Sequence, residues 1–356
     1  MLRSIERPIR IRFQHTRYPH WGGHSGYALF VRQLDPHRFR STMHGSADRE
    51  TDLPGWLKPA KPLLKRLVAR ADMRWYKLDD LHAEMNAIAA GIAGQFDIVH
   101  FLDGEHSGRF LPQFLKKVGK KRIKTIATFH QPPELAKDVL HAESLHWFDQ
   151  VVLVSPSQLP FFREHVEEER LKVILHGVDT DFFSPASRSH HSDRMRCLTV
   201  GHWLRDWETF SIVAGALPDV QFDVVVNRDL GIRDLPNVQI YRAIDDLELV
   251  NLYRNADVLF LPLLQSTANN ALLEGMASGL AVVTTDLEAV RAYLPERDGL
   301  LVSGKADEFM QAIRALRESP ALRKELGLKA RVRAEALAWS QIAGCYETLY
   351  AKVMGR

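Results

Sequence analysis

Short apolar runs alternate with helically spaced segments through most of this chain. Runs at 9–13, 96–102, 123–129, 150–155 and 173–175 predict strands in the first half; runs at 196–200, 221–226, 238–241, 258–264, 281–285 and 299–302 predict strands in the second. Among the intervening segments, Ala28, Leu29, Val31 and Leu34 repeat on one side of a helix over 27–34. Leu63, Leu64, Leu67, Val68, Ala71, Trp75 and Leu78 fall within about 140° of a helical wheel over 63–78. Helices are also predicted over 109–117, 160–170, 208–216, 247–254, 306–319, 321–336 and 339–353. Repeated strand, helix, strand units build parallel sheets covered by helices. Apolar side chains thin out from Ala186 to Asp193, nearly halving the chain. The expected fold is α/β, with two Rossmann-like domains facing across a cleft. Their expected bounds are 1–185 and 196–337, joined by a linker at 186–195, with a last helix at 338–356 returning to the first domain.

Composition adds little to this, but charge adds something. The 356 residues are 46% hydrophobic and 26% charged, as in ordinary globular proteins, and no uninterrupted apolar run approaches the roughly 18 residues that span a bilayer. Met1 to Arg7 lacks a signal peptide's apolar core, and Cys197 and Cys345 form no disulfide or zinc pattern, so a cytoplasmic location is expected. The net charge of +3 is unevenly spread: 58–77 carries +6, 116–124 carries another +6, and the remainder is acidic. A basic amphipathic helix at 63–78 suits an anionic membrane surface at the inner face; equally, its apolar side can pack on the core with its lysines solvated. No basic strand is interleaved with aromatics to stack bases, so nucleic acid is not an expected partner.

Candidate chemistry concentrates at strand ends. The run ending near Leu264 passes through a polar turn containing Ser266, Thr267, Asn269 and Asn270 into a helix stopped by Gly279. Asn269 or Asn270 can cap that helix, whose free amides favour an anion, and Glu274 lies about one turn inside. Gly22 and Gly23, after the first strand, allow close approach to a phosphate or mark only a turn. His130 follows the strand at 123–129, where an imidazole can orient or exchange protons with a hydroxyl or phosphate near neutral pH.

Together these residues resemble the retaining glycosyltransferases of the GT-B type with a Glu-x7-Glu motif, the large group 1 (family 4-like) set. The resemblance rests on Gly22-Gly23, His176-Gly177-Val178-Asp179 with Phe183-Ser184-Pro185, Ala256-Asp257-Val258 leading to Pro262, Leu273 to Gly279, and Asp298 to Val302. It implies a nucleotide-sugar donor on the second domain, an acceptor on the first, retained configuration, and neither cofactor nor required metal. Glu274 would bond the ribose hydroxyls, the Asn269 and Asn270 helix terminus would meet the diphosphate, and His130 would lie near donor sugar and acceptor. Three positions depart from the pattern: Ser266 replaces the motif's first glutamate, so that Thr267, Asn269 and Asn270 are candidates for its work. His202 and Trp207 stand where cations usually neutralise the diphosphate, with Arg205 as substitute, and Arg228 is the candidate second cation. The expected activity is hexose transfer to a lipid-linked or polysaccharide acceptor. A GT-B sugar-nucleotide epimerase or phosphorylase, and a catalytically degenerate partner subunit, are the alternatives.

Overall fold

A computed structural model describes residues 7–17, 22–47, 55–119, 122–186, 194–231 and 235–356. The chain divides into two compact units, one of Met1–His20, Tyr27–Ile174 and Ile342–Arg356, the other of Trp21–Gly26 and Leu175–Gln341. The division falls after Ile174, before the polar stretch at 186–195, of which 187–193 lie outside the described residues.

The first unit is built on β1 (Ile9–Arg17), β2 (Phe39–Ala47), β3 (Ile98–Phe101), β4 (Lys124–Phe129), β5 (Gln150–Leu153) and β6 (Leu171–Val173), paired in parallel in the order β2-β1-β3-β4-β5-β6. The second is built on β7 (Arg196–Val200), β8 (Gln221–Val225), β9 (Val238–Tyr241), β10 (Val258–Leu261), β11 (Ala281–Thr285) and β12 (Leu300–Val302), again parallel, in the order β12-β11-β10-β7-β8-β9. Winding reverses between β1 and β3 in one sheet and between β7 and β10 in the other. Ligands of open α/β sheets collect outside the carboxyl ends of the strands at such reversals.

Parallel strands covered on both faces must be apolar nearly throughout, which is why the runs were readable. Val99, Phe101, Ala127, Phe129, Val151 and Leu153 form the first core with Leu115 and Phe162, and Cys197, Phe222, Val258, Phe260 and Val283 form the second with Phe210, Val213 and Phe309. The last helix, Trp339–Val353, gives most of its length to the first unit, where Tyr350 stands edge-on to Phe13 with ring centroids 6.2 Å apart.

Three segments differ from expectation. β2 is an edge strand whose residues from Arg40 to Met43 are exposed, so it lacks an apolar run. The helix expected over 63–78 ends sooner: it spans Lys61–Ala69, Asp72 adopts a left-handed φ of 52°, and a new helix runs Leu78–Ile92. That second helix buries Asp80 and Glu84 beside Leu81 and Ala87, which blurs its apolar stripe. The helix expected over 160–170 spans only Leu159–Arg163, followed by a 3-10 turn at Glu168–Arg170. Among the described residues, no helix is long and apolar enough to cross a membrane.

Candidate active site

In the second unit, the loops after β7 and β10 lock together at the winding reversal. Asp206 N–H donates to the Pro262 carbonyl and Leu264 N–H to the Leu204 carbonyl, both at 3.0 Å. This packs Arg205 beneath the turn at 262–269, with only 8% of its surface exposed. Its guanidinium donates to the carbonyls of Val200 (2.8 Å) and Trp203 (3.1 Å) and to Asn269 Oδ1 (3.2 Å), while Nε has no partner among the described residues. Burial lowers its pKa to about 10, which leaves it charged at neutral pH. Asn269, rather than Asn270, caps the helix Asn270–Ala277, its side chain accepting from Leu272 N–H at 3.3 Å. A buried cation and a helix terminus thus share one side-chain oxygen, and both favour an anion there.

Glu274 lies on the same helix and is 4% exposed. One carboxylate oxygen accepts from Ser25 Oγ at 2.7 Å, and the other from Tyr253 OH at 2.8 Å. Burial raises its pKa, and the two hydroxyls oppose the rise. The glycine-rich loop groups with this unit: Gly23 N–H donates to Asp246 Oδ2 at 2.7 Å, and a Cβ on Gly22 would fall on the Asp246 carboxylate. His24 Nδ1 lies 2.8 Å from Asp179 Oδ2, with its ring stacked 3.6 Å from Phe182. His24, Ser25, His176, Asn270, Glu274 and Trp339 line one small recess.

Ser266 is half-buried beside the fully buried Thr267, whose carbonyl accepts from its hydroxyl at 3.4 Å. Arg228 is exposed, and its side chain makes no hydrogen bond or ion pair among the described residues. Trp207 begins a helix and packs edge-on to Phe210 at 5.4 Å, a core role where a cation was expected.

In the first unit, His130 follows β4 at the carboxyl edge. Its Nε2–H donates to the Leu102 carbonyl at 2.7 Å, which in the neutral ring makes Nδ1 the acceptor. The ring stacks on Tyr27 at 4.3 Å, and Tyr27 OH donates in turn to Asp103, which also accepts Thr16 N–H at 2.9 Å. Desolvation lowers the His130 pKa to about 4. Desolvation thus favours the neutral ring at neutral pH, with Nδ1 as its accepting nitrogen.

Among the described residues, no group of three or more His, Cys, Asp and Glu could hold a metal ion. With strand order and the Arg205, Asn269 and Glu274 grouping in place, known proteins show likeness in part of the sequence and in the fold. Residues 205–319 match the family model described as Glycosyl transferases group 1. The D-inositol 3-phosphate glycosyltransferase of Arthrobacter sp. (strain FB24) is 35% identical over 203 residues, covering 49% of this chain and 48% of that protein. The chain thus spans about half the length of that relative. Among solved structures, sucrose-phosphate synthase from Thermosynechococcus elongatus has a TM-score of 0.73 at 17% identity, over 97% of this chain and 99% of that one. The HepE protein of Anabaena in complex with UDP has a TM-score of 0.65 at 14% identity, over 96% and 100% respectively. These likenesses establish the two-domain α/β fold of GT-B glycosyltransferases.

The group 1 match covers Arg205, Arg228 and every residue from Ser266 to Glu274. The structure brings Arg205, Asn269, Asn270, Glu274, Gly22 and Gly23 together in one unit, whereas Arg228 stays apart. Sequence reasoning missed Ser25, Tyr253 and Asp246, although the hydroxyl of Ser25 between Gly23 and Gly26 was a usable signal. It also passed over Asp103 and Glu105, which end β3 as His130 ends β4.

Buried ionisable groups make the first unit's stability depend on pH. Burial raises Asp80, Glu84 and Glu105 to about 7, so their contribution is greatest in acid and is lost as pH rises through 7. His100, lowered to about 3, His130, and His15 and His44, which burial also lowers, act oppositely, losing stability as pH falls below 6.5. Between pH 8 and 6 the three acids outweigh these four histidines, and we expect this unit to gain about 1 kcal/mol. Urea unfolding, followed by exchange of first-unit amides, measures this; a loss over that range would contradict these assignments.

Proposed function

We propose that the protein is a retaining glycosyltransferase moving a hexose from a nucleotide-sugar donor to a lipid-linked or polysaccharide acceptor. The carrying observation is the convergence of Glu274, Arg205 and the Asn269-capped helix terminus at the winding reversal between β7 and β10. A ribose offers two adjacent O–H donors, which a buried carboxylate accepts as charge-assisted hydrogen bonds. A departing diphosphate needs positive potential, which the helix terminus and the fixed Arg205 charge supply without a metal ion. UDP bound to Anabaena HepE, and the inositol phosphate in the Arthrobacter protein's name, fit a nucleotide donor and a polyhydroxylated acceptor.

In this reading the acceptor oxygen bonds to the anomeric carbon on the face the diphosphate leaves. The anomeric carbon to oxygen bond breaks toward the diphosphate, and the acceptor's proton passes to a donor phosphate oxygen. His130 orients the reacting groups, in keeping with its neutral ring. Ser266 and Thr267 read the donor sugar. Exposed Lys65, Arg66, Arg70 and Leu63 (61% exposed) would meet an anionic membrane at the cytoplasmic face, holding the enzyme near an anchored acceptor.

A melting-temperature screen with UDP, GDP, ADP and TDP sugars tests the reading. One sugar nucleotide should stabilise the protein, and nucleoside diphosphate should accumulate appreciably only when an acceptor is added. No stabilisation by any of them would favour a degenerate partner subunit. Consumption of donor without acceptor would favour an epimerase.

A further inference from the structure

The turn carrying His130 is held from two sides by buried side chains. Gln158, fully buried, donates through Nε2 to the carbonyls of Phe129 (3.1 Å) and Gln131 (3.0 Å), while its Oε1 accepts from Val154 N–H (2.9 Å) and Ser155 N–H (3.0 Å). On the other side, Glu105 Oε1 accepts both His130 N–H (2.5 Å) and Gln131 N–H (2.8 Å). Every backbone polar group of this two-residue turn that Gln158 leaves over, apart from the His130 carbonyl, therefore goes to Glu105.

Glu105 is an expensive choice for that task. It is 2% exposed and has no salt-bridge partner among the described residues, and Asp103 adds like charge nearby. Burying a carboxylate without a cation costs stability, and Gln158 shows that this fold can clamp the same turn with a neutral amide. Its loop is also fitted closely: Gly104 N–H donates to the Thr128 carbonyl at 2.8 Å, and a Cβ on Gly104 would collide with the Phe129 ring. A side-chain oxygen accepts both turn amides whether the group is charged or neutral, so one side chain holds the whole turn.

We propose that Glu105 is the positioning residue for His130, fixing through both turn amides the one ring orientation in which Nε2 meets Leu102 and the face meets Tyr27. The proposal rests on the transferase reading, in which His130 orients the reacting groups. Loss of the clamp would let the ring leave its place, and misplacement of about 1 Å costs on the order of 100-fold in rate. The donor grip, carried by Glu274 and Arg205 in the other unit, would be untouched.

The unaltered 356-residue chain, Glu105→Gln and Glu105→Ala decide this. Amide hydrogen exchange should quicken at His130 and Gln131 by at least about tenfold in the alanine variant and stay near wild type in the glutamine variant, whose Oε1 still accepts. With the sugar nucleotide selected by the melting screen, nucleoside diphosphate release should show kcat lowered by about 10- to 100-fold in Glu105→Ala, donor KM within about twofold, and substantial recovery in Glu105→Gln. Unchanged exchange, unchanged kcat, or a parallel loss of donor binding would each overturn the proposal. A wild-type protein that releases no nucleoside diphosphate from any donor would overturn the transferase reading instead; the exchange measurement would still say whether Glu105 holds the turn.

Discussion

Glu274→Gln should bind its sugar nucleotide about 100-fold more weakly than wild type while keeping its fold. The carboxylate takes one hydroxyl on each oxygen, from Ser25 and Tyr253, and in the proposed complex it takes ribose hydroxyls as well. The amide keeps the shape and one acceptor oxygen. Its NH₂ can still pair with Tyr253 OH, because a hydroxyl also accepts. What it loses is the charge and one acceptor site. Hydrogen bonds to a charged group contribute about 1.5–3 kcal/mol, and 2.7 kcal/mol corresponds to roughly 100-fold in affinity. Calorimetric titration measures the loss. An affinity within threefold of wild type would remove Glu274 from the donor site.

Gly327→Ala should destabilise the second unit by about 3 kcal/mol, the upper end for inserting a methyl group into a packed interior. Gly327 lies within the helix Pro320–Glu335, where an added Cβ would fall on the Gly279 carbonyl and 3.2 Å from its carbonyl carbon. These are backbone atoms with no rotamer to change, and Gly279 is itself held at a φ of 77° as it turns the chain into β11. Helix propensity runs the other way, favouring alanine by about 1 kcal/mol. Gly215→Ala makes the control: in the helix Trp207–Ala216 its Cβ would lie 3.9 Å from Leu235, so propensity acts there without a clash. Chemical denaturation that finds the Gly327 variant as stable as the Gly215 variant would contradict the close approach of this helix to the Gly279 backbone.

Much of the fold was legible because parallel strands are apolar on both faces. The runs around Val99, Val151, Phe260 and Val283 announced themselves, and only the exposed edge strand β2 escaped. The order of strands was not legible, because every run is apolar in the same way. The site divided along the same line. Asn269 and Glu274 could be placed because a helix cap and the carboxylate on its helix lie within a few residues of each other. Tyr253 and Ser25 could not, since they reach Glu274 from positions 21 and 249 residues away, once β10 and its neighbours are set in order. The depressed pKa of His130 was hidden for a related reason: desolvation depends on the packing around a group, and the identity of its sequence neighbours does not determine it. The helix expected over 63–78 failed because Ala71, Met73 and Tyr76 keep an apolar pattern after the helix has ended, packing on the core from irregular backbone.

Gln158 uses one carboxamide to tie the end of β5 to the turn after β4, and all four bonds end on backbone rather than on side chains. Substitutions at Val154, Ser155, Phe129 or Gln131 therefore leave the tether standing, since only main-chain atoms are held. Side chains on this rim can change, within what the core around Phe129 and Val154 tolerates, while the path of the turn that carries His130 stays fixed. Novelty at this edge of the sheet should accumulate in what the side chains present, with the path of the chain inherited unchanged.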